Sequence, residues 1–211
     1  MGFQRLKTNH MFIKNQLLDF IMLDKKDFES MRKEMESADK DRENLIAQSR
    51  EVIKLSKKII YAVHRKDMKE AAPAVTEMKQ KVKSIAKLTN DSELEFAGSK
   101  RAALQEYVEA ICYYEFVKNG KVPSHTDLDL DSETYLLGLC DLSGELVRNA
   151  IHEVIDGKNE SALKVKELVT ELFWELSQFD FRNGELRRKF DGIKYDVKKL
   201  EDLALQLKLR Q

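Results

Sequence analysis

The sequence predicts an all-α protein folded as a single helical bundle of about seven helices, and three observations carry that prediction. Apolar residues recur at spacings of three and four along most of the chain. The two prolines and eight glycines sit mostly at the ends of those periodic stretches, where they punctuate helices. No segment reads convincingly as a strand. At 211 residues, 42% hydrophobic and 35% charged, the chain can bury one sizeable core, and residues 1–211 read as a single domain.

The first predicted helix covers 5–22. The opening MGFQRLKTNHMFIKNQ puts charged and amide residues where a signal peptide needs its apolar region, and Leu6 stands where myristoylation requires Ser or Thr. A long helix follows over 26–67; its portion 27–58 has the charge density and sparse apolar stripe of a solvent-facing helix that leans on neighbours. The next helix covers 72–89, with Pro73 at its start, and another covers 92–118. NGKVPSHTDLDL, from 119 to 130, is the longest connection. Asp127, Asp129 and Asp131 alternate there as in a calcium loop, but Ser132 replaces the sixth-position Gly and Gly138 the twelfth-position Glu. Helix capping by Asp131 or Ser132 is the better reading. Helices over 131–156, 160–180 and 184–208 complete the bundle.

Charge and cysteine content narrow the function classes. Lys and Arg number 37, as do Asp and Glu, so overall charge cannot draw the protein to nucleic acid or acidic membranes, and any polyanion site must be a local patch. No run approaches the length of a membrane span. Cys112 and Cys140 each lie beside an apolar residue in a helical run and read as reduced core thiols, which points to the cytoplasm.

The chemistry lies in LQEYVEAICYYEF, residues 104–116. At about 100° per residue Glu106 and Glu109 share one stripe with Ala102 and Tyr113, opposite Leu104, Val108 and Ile111. In the following helix, YLLGLCDLSGELV, Asp141 and Glu145 lie four apart and again share a face. Antiparallel packing with those faces together would gather four acids, which must then share protons or hold a hard divalent cation. Any one of them could instead cap a helix, pair with Arg101 or Arg148, or face solvent. A di-iron bundle needs His three residues after its Glu, and Cys112 and Arg148 occupy those places. Oxygen-only ligands point to Mg²⁺ or Mn²⁺, and such an ion in a site reached by phosphates makes phosphodiester hydrolysis the default chemistry.

LQEYVEAICYYEFVK followed by YLLGLCDLSGELVRNAI resembles the translin and translin-associated factor X family. REVIKLSKKIIYAVHR (50–65) is similar to an early helix of that family ending in a His-Arg pair, and LRRKFDGIKYDVKKLEDLALQLKLR (186–210) is close to the C-terminal helix of translin. Only an N-terminal extension of about 1–25 stands outside the resemblance. It implies a bundle of about seven helices, assembled as a closed, typically octameric shell that binds single-stranded or short RNA, or single-stranded DNA, on its inner surface. It further implies a metal-dependent endoribonuclease, since Glu106, Glu109, Asp141 and Glu145 match the catalytic acids of factor X. Translin itself lacks that set, so factor X carboxylates here accompany a translin-like C-terminus, as in an undivided, prokaryotic relative whose identical subunits do both jobs.

Within that reading Glu109, Asp141 and Glu145 are direct metal ligands, and Glu106 is either a ligand or the base that orients the attacking water. The expected nucleic-acid contacts are His64, Arg65, Lys100, Arg101 and Arg148; each could equally be an exposed charge or a structural pair. Tyr107, Tyr113 and Tyr114 could stack on bases, although their helical spacing suits the core better. Trp174 reads as packing or a subunit contact, and His10, His125 and His152 sit at no ligand spacing. The last helix presents Phe190, Ile193, Val197, Leu200 and Ala204 as one stripe, which Leu203, Leu205, Leu207 and Leu209 widen toward a second neighbour. A homo-oligomer follows. The alternatives are a non-catalytic oligomer that binds single-stranded RNA or DNA, and a helical scaffold for protein partners, which leaves the acids unexplained.

Overall fold

The computed structural model describes residues 23–90, 94 and 97–209, and every element in them is helical. In chain order these are α1 (Lys25–His64), α2 (Met68–Thr89), α3 (Gly98–Asn119), the single turn α4 (His125–Leu128), α5 (Ser132–Ile155), α6 (Asn159–Ser177) and α7 (Glu185–Leu209). The helix expected over 5–22 lies outside the described residues. The other long helices fall within four residues of where the periodicity places them, except that α3 starts at Gly98, six residues after the expected 92. None of the described helices is long and apolar enough to cross a membrane.

Local chemistry explains the ends. The periodicity starts the third predicted helix at 72, but α2 begins at Met68 because Asp67 caps it, its Oδ1 accepting the Glu70 N–H at 3.0 Å. A cap of this kind stabilises a helix by about 1 kcal/mol. Pro73 therefore lies in the second turn and not at the start. The turn α4 interrupts the expected connection; it is held by a capping box in which Ser124 and Asp127 bond each other's backbone N–H at 3.2 and 2.9 Å. The aspartate run thus serves helix ends: Asp129 closes α4 in the left-handed region at φ 55°, and Asp131 Oδ1 caps α5 through the Thr134 N–H at 2.9 Å.

The chain divides into two compact units at Glu43 and Asn44. In the first, every described residue is exposed, Phe28 and Met35 included. In the second, α1 from Leu45 onward buries Val52, Ile59, Ala62 and Val63 at spacings of three, four and seven. α5 is the central helix, packed on α3, α6 and α7, and α2 packs on α3. Its Leu142 and Leu146, with Ile111 of α3, are fully buried and contribute about 1.5–3 kcal/mol each over exposure. Phe190 of α7 stacks on Phe173 of α6, ring centres 5.4 Å apart.

The α3–α5 contact decides where the acids go. A Cβ at Gly138 would lie 2.5 Å from Val108 Cβ and 2.9 Å from the Gln105 carbonyl oxygen, distances no real pair of atoms sustains. Only glycine lets the two backbones approach this closely. Val108 precedes Glu109, and Gly138 lies about one turn before Asp141 and two before Glu145. The crossing therefore brings the two acid pairs face to face, as their shared faces require.

Candidate functional site: a carboxylate centre between α3 and α5

All four acids are half-buried at this crossing while their neighbours Tyr107, Val108, Leu142 and Leu146 are core. Burial pushes the Glu109 carboxyl up to about 8, and the negative charges of Asp141, Glu106 and Glu145 push in the same direction. At neutral pH Glu109 thus holds a proton, kept on by burial and by the three other carboxylates that crowd it. Asp141 accepts from Lys189 Nζ of α7 at 2.5 Å, and the same ammonium reaches Gln105 Oε1 at 3.2 Å and Glu185 at 3.9 Å. Glu145 Oε2 bonds His64 Nε2 at 2.5 Å, and Arg148 Nη1 stands 3.8 Å from the same oxygen. The hydrogen bond from His64 holds Glu145 below the usual carboxylate range against the opposing effect of burial. Neither Glu106 nor Glu109 has a cation within salt-bridge distance among the described residues.

The expected contacts for nucleic acid divide. His64 is not a surface cation: its side chain is 5% exposed and both ring nitrogens are engaged, Nδ1 with the Tyr113 hydroxyl at 2.9 Å. It belongs to the acid centre, as does Arg148, whose guanidinium also lies over the Tyr61 ring at 5.7 Å. Arg65 is exposed and bonds Glu70 at 2.6 Å. Lys100 is buried, and with Arg101 it lines a separate cleft of about 820 Å³ between α2, α3 and the start of α5, in which none of the four acids takes part. Arg101 pairs there with Glu133 at 2.6 Å, and with none of the catalytic candidates. Tyr107, Tyr113 and Tyr114 are core residues. Cys112 and Cys140 are buried free thiols, which burial pushes up to about 12.

Sequence reasoning missed Lys189 and the Tyr113–His64 contact. Lys189 sits 48 residues from Asp141 in a helix whose other lysines and arginines carry the same signal, so nothing in its spacing singled it out. His64 was visible only as the end of a motif.

A hard divalent cation suits this donor set, because the candidates are carboxylate oxygens with a surplus of negative charge. The arrangement is not a preformed cage: among the described residues no group of three or more His, Cys, Asp or Glu side chains is gathered tightly enough to hold a metal. Asp141 faces Lys189 and Glu145 faces His64, so each of these two carboxylates already has a basic side chain against it.

Fold and site together define an all-helical protein with a partly buried carboxylate centre shared by two crossing helices. The chain belongs to the Translin family, whose sequence model matches residues 40–211. It is 32% identical over 163 residues to an uncharacterized protein of Methanocaldococcus jannaschii, covering 73% of this chain and 71% of that one. Translin-associated protein X of Pongo abelii is 27% identical over 87% of this chain and 78% of its own length. Translin of Gallus gallus is 37% identical, but over only 81 residues, so the match spans 38% of this chain and 35% of that relative. Among solved structures, apo-NeC3PO superposes with a TM-score of 0.82 at 29% identity over 88% of this chain and 98% of that one. AfC3PO in complex with duplex RNA gives 0.76 at 26% identity, covering 87% and 97%.

Proposed function

We propose that this protein is a metal-dependent endoribonuclease that hydrolyses phosphodiester bonds of single-stranded or short RNA within a homo-oligomer, an octameric shell. The observation that carries this reading is the meeting of Glu106, Glu109, Asp141 and Glu145 across the α3–α5 crossing, close enough that three charges help keep a proton on the fourth. A partly buried group of like charges destabilises a fold, so its presence calls for a positive occupant. Glu109, Asp141 and Glu145 are the residues that would hold Mg²⁺ or Mn²⁺. Bound there, the ion would activate a water and neutralise charge developing on a phosphoryl oxygen.

The chain's own side chains supply the rest. Glu106, one turn before Glu109 and without a cation partner among the described residues, is placed to orient a water or to add a ligand. Lys189 brings an ammonium into the centre, and Arg148, half-exposed at its edge, offers a guanidinium to an approaching phosphate. The AfC3PO complex supports RNA as the substrate class. Exposed Trp174 on α6 and Tyr195, Leu205 and Leu209 on α7 support self-association, since these large apolar groups find no cover within the described chain.

One observation favours a second reading, a non-catalytic oligomer that binds single-stranded RNA or DNA: Asp141 and Glu145 already have partners in Lys189 and His64. Labelled single-stranded RNA and a short duplex, incubated with and without Mg²⁺ or Mn²⁺, separate the two. Endonucleolytic cleavage that needs metal and disappears in Asp141→Asn, with RNA still bound, is the expected result. RNA bound but uncut under every metal condition would leave the binding-only oligomer.

A further inference from the structure

We infer that Asn149, Tyr113 and His64 form a buried relay whose task is to fix the orientation of Glu145, making them positioning residues for the carboxylate centre; this rests on the nuclease reading above. The chain of contacts is continuous. Asn149 Nδ2 donates to the Tyr113 hydroxyl oxygen at 3.1 Å, that hydroxyl meets His64 Nδ1 at 2.9 Å, and His64 Nε2 meets Glu145 Oε2 at 2.5 Å. Three helices contribute: His64 is the last residue of α1, Tyr113 lies on α3, and Asn149 and Glu145 lie one turn apart on α5.

Donor and acceptor chemistry sets the direction of the relay. The Asn149 amide supplies one proton to the Tyr113 oxygen, so the hydroxyl keeps its own proton to give to His64 Nδ1. A lone pair at Nδ1 leaves the proton on Nε2, where it is donated to Glu145. Every member is therefore satisfied in one arrangement, and a flip of the imidazole would break both its bonds. Burial holds the Tyr113 hydroxyl well above the ordinary tyrosine range, so it stays a donor.

Two features argue for a functional device over core packing. The relay ends on a carboxylate of the acid centre, whereas Tyr113, with no exposed surface, would need only a backbone carbonyl to satisfy its hydroxyl. And both basic groups that approach Glu145 address Oε2, His64 at 2.5 Å and Arg148 at 3.8 Å, and Oε1 has no basic group within salt-bridge distance among the described residues. Partners that pin a ligating carboxylate in this way typically matter by about 10- to 100-fold in affinity or activity.

The test uses the full chain. Long-range ¹H–¹⁵N correlation spectra, simplified by there being only four histidines, should show His64 protonated at Nε2 in metal-free protein at about pH 7.5, above the ordinary histidine range; an unprotonated Nε2 overturns the relay. Calorimetric titration with Mn²⁺ alone should show binding weakened about 10- to 100-fold in His64→Leu. Most of that loss should return in His64→Gln, whose amide nitrogen can reach the Nε2 position. Cleavage should follow the same order with RNA affinity unchanged. If His64→Leu does not fold, Tyr113→Phe, which removes only the hydroxyl, should show a smaller loss of Mn²⁺ affinity. Wild-type Mn²⁺ affinity in both His64→Leu and Tyr113→Phe refutes the relay while leaving the nuclease intact. Wild-type protein that binds Mn²⁺ but cuts no RNA refutes the nuclease, and the relay is then judged by the spectra and the titration.

Discussion

Replacing Glu109 with glutamine should make the metal-free protein more stable at alkaline pH and change little at about pH 5. The interval from the ordinary value of 4.5 to about 8 defines the window. Within it an unfolded chain has lost the Glu109 proton and the folded chain still holds it, so the unfolded state binds fewer protons and stability falls as pH rises. The fall is about 1.4 kcal/mol per pH unit and stops once the folded carboxyl ionises. Across the whole window that corresponds to about 5 kcal/mol, and adjustment of Asp141 and water entry should roughly halve it. The glutamine side chain keeps the shape and has no proton to lose. Urea unfolding of both proteins at intervals from about pH 5 to about pH 9, at matched concentration and in chelator, measures the difference directly. The expected curves coincide at about pH 5 and diverge by about 2–3 kcal/mol at about pH 9. Parallel curves would mean that Glu109 is neither withdrawn from water nor crowded by the other three acids, and the four would then not form one centre.

Two further outcomes follow from the packing and the pairing. Gly138→Ala drives a methyl into Val108 and the Gln105 carbonyl, and should lower stability by about 1–3 kcal/mol in thermal or urea unfolding; an unchanged midpoint would show that α3 and α5 do not meet this closely. Lys189→Met leaves Asp141 without its partner. Because Lys189 is also the charge that eases ionisation of Glu109, the loss should be about 1–2 kcal/mol at about pH 8 and smaller at about pH 5, and equal losses at both would separate Lys189 from the acid centre.

Much of this was legible before the coordinates. The long helices follow from apolar spacing because each turns one stripe to a common core, and Phe190, Ile193 and Leu200 are buried as their stripe requires. The two acid pairs could be placed because a charge inside an otherwise uncharged helical run is costly to bury and therefore conspicuous. The carboxylates' partners were not legible, since Lys189 and His64, and Tyr113 through His64, reach them by tertiary contacts 48 to 81 residues long that no local pattern encodes. Arg101 shows the converse: the sequence offered it as a partner for one of the four acids, but its side chain lies against Glu133 on the next long helix. Pro73 misled because a strong cap at Asp67 starts the helix earlier than the proline alone suggests. Leu205 and Leu209, expected to widen the apolar surface of the last helix, are exposed, whereas Leu207 is buried.

The missing side chain at Gly138 also acts as a ruler. Asp141 and Glu145 ride on one rigid helix, so sliding α5 along α3 by one residue would move both by about 1.5 Å and turn both by about 100° away from Glu106 and Glu109. The gap that Val108 enters on that helix face is at 138. Four carboxylates that would otherwise need four separate adjustments are thereby brought into line by one meshing of a valine with a glycine, and whatever keeps that tooth engaged keeps the whole centre in register.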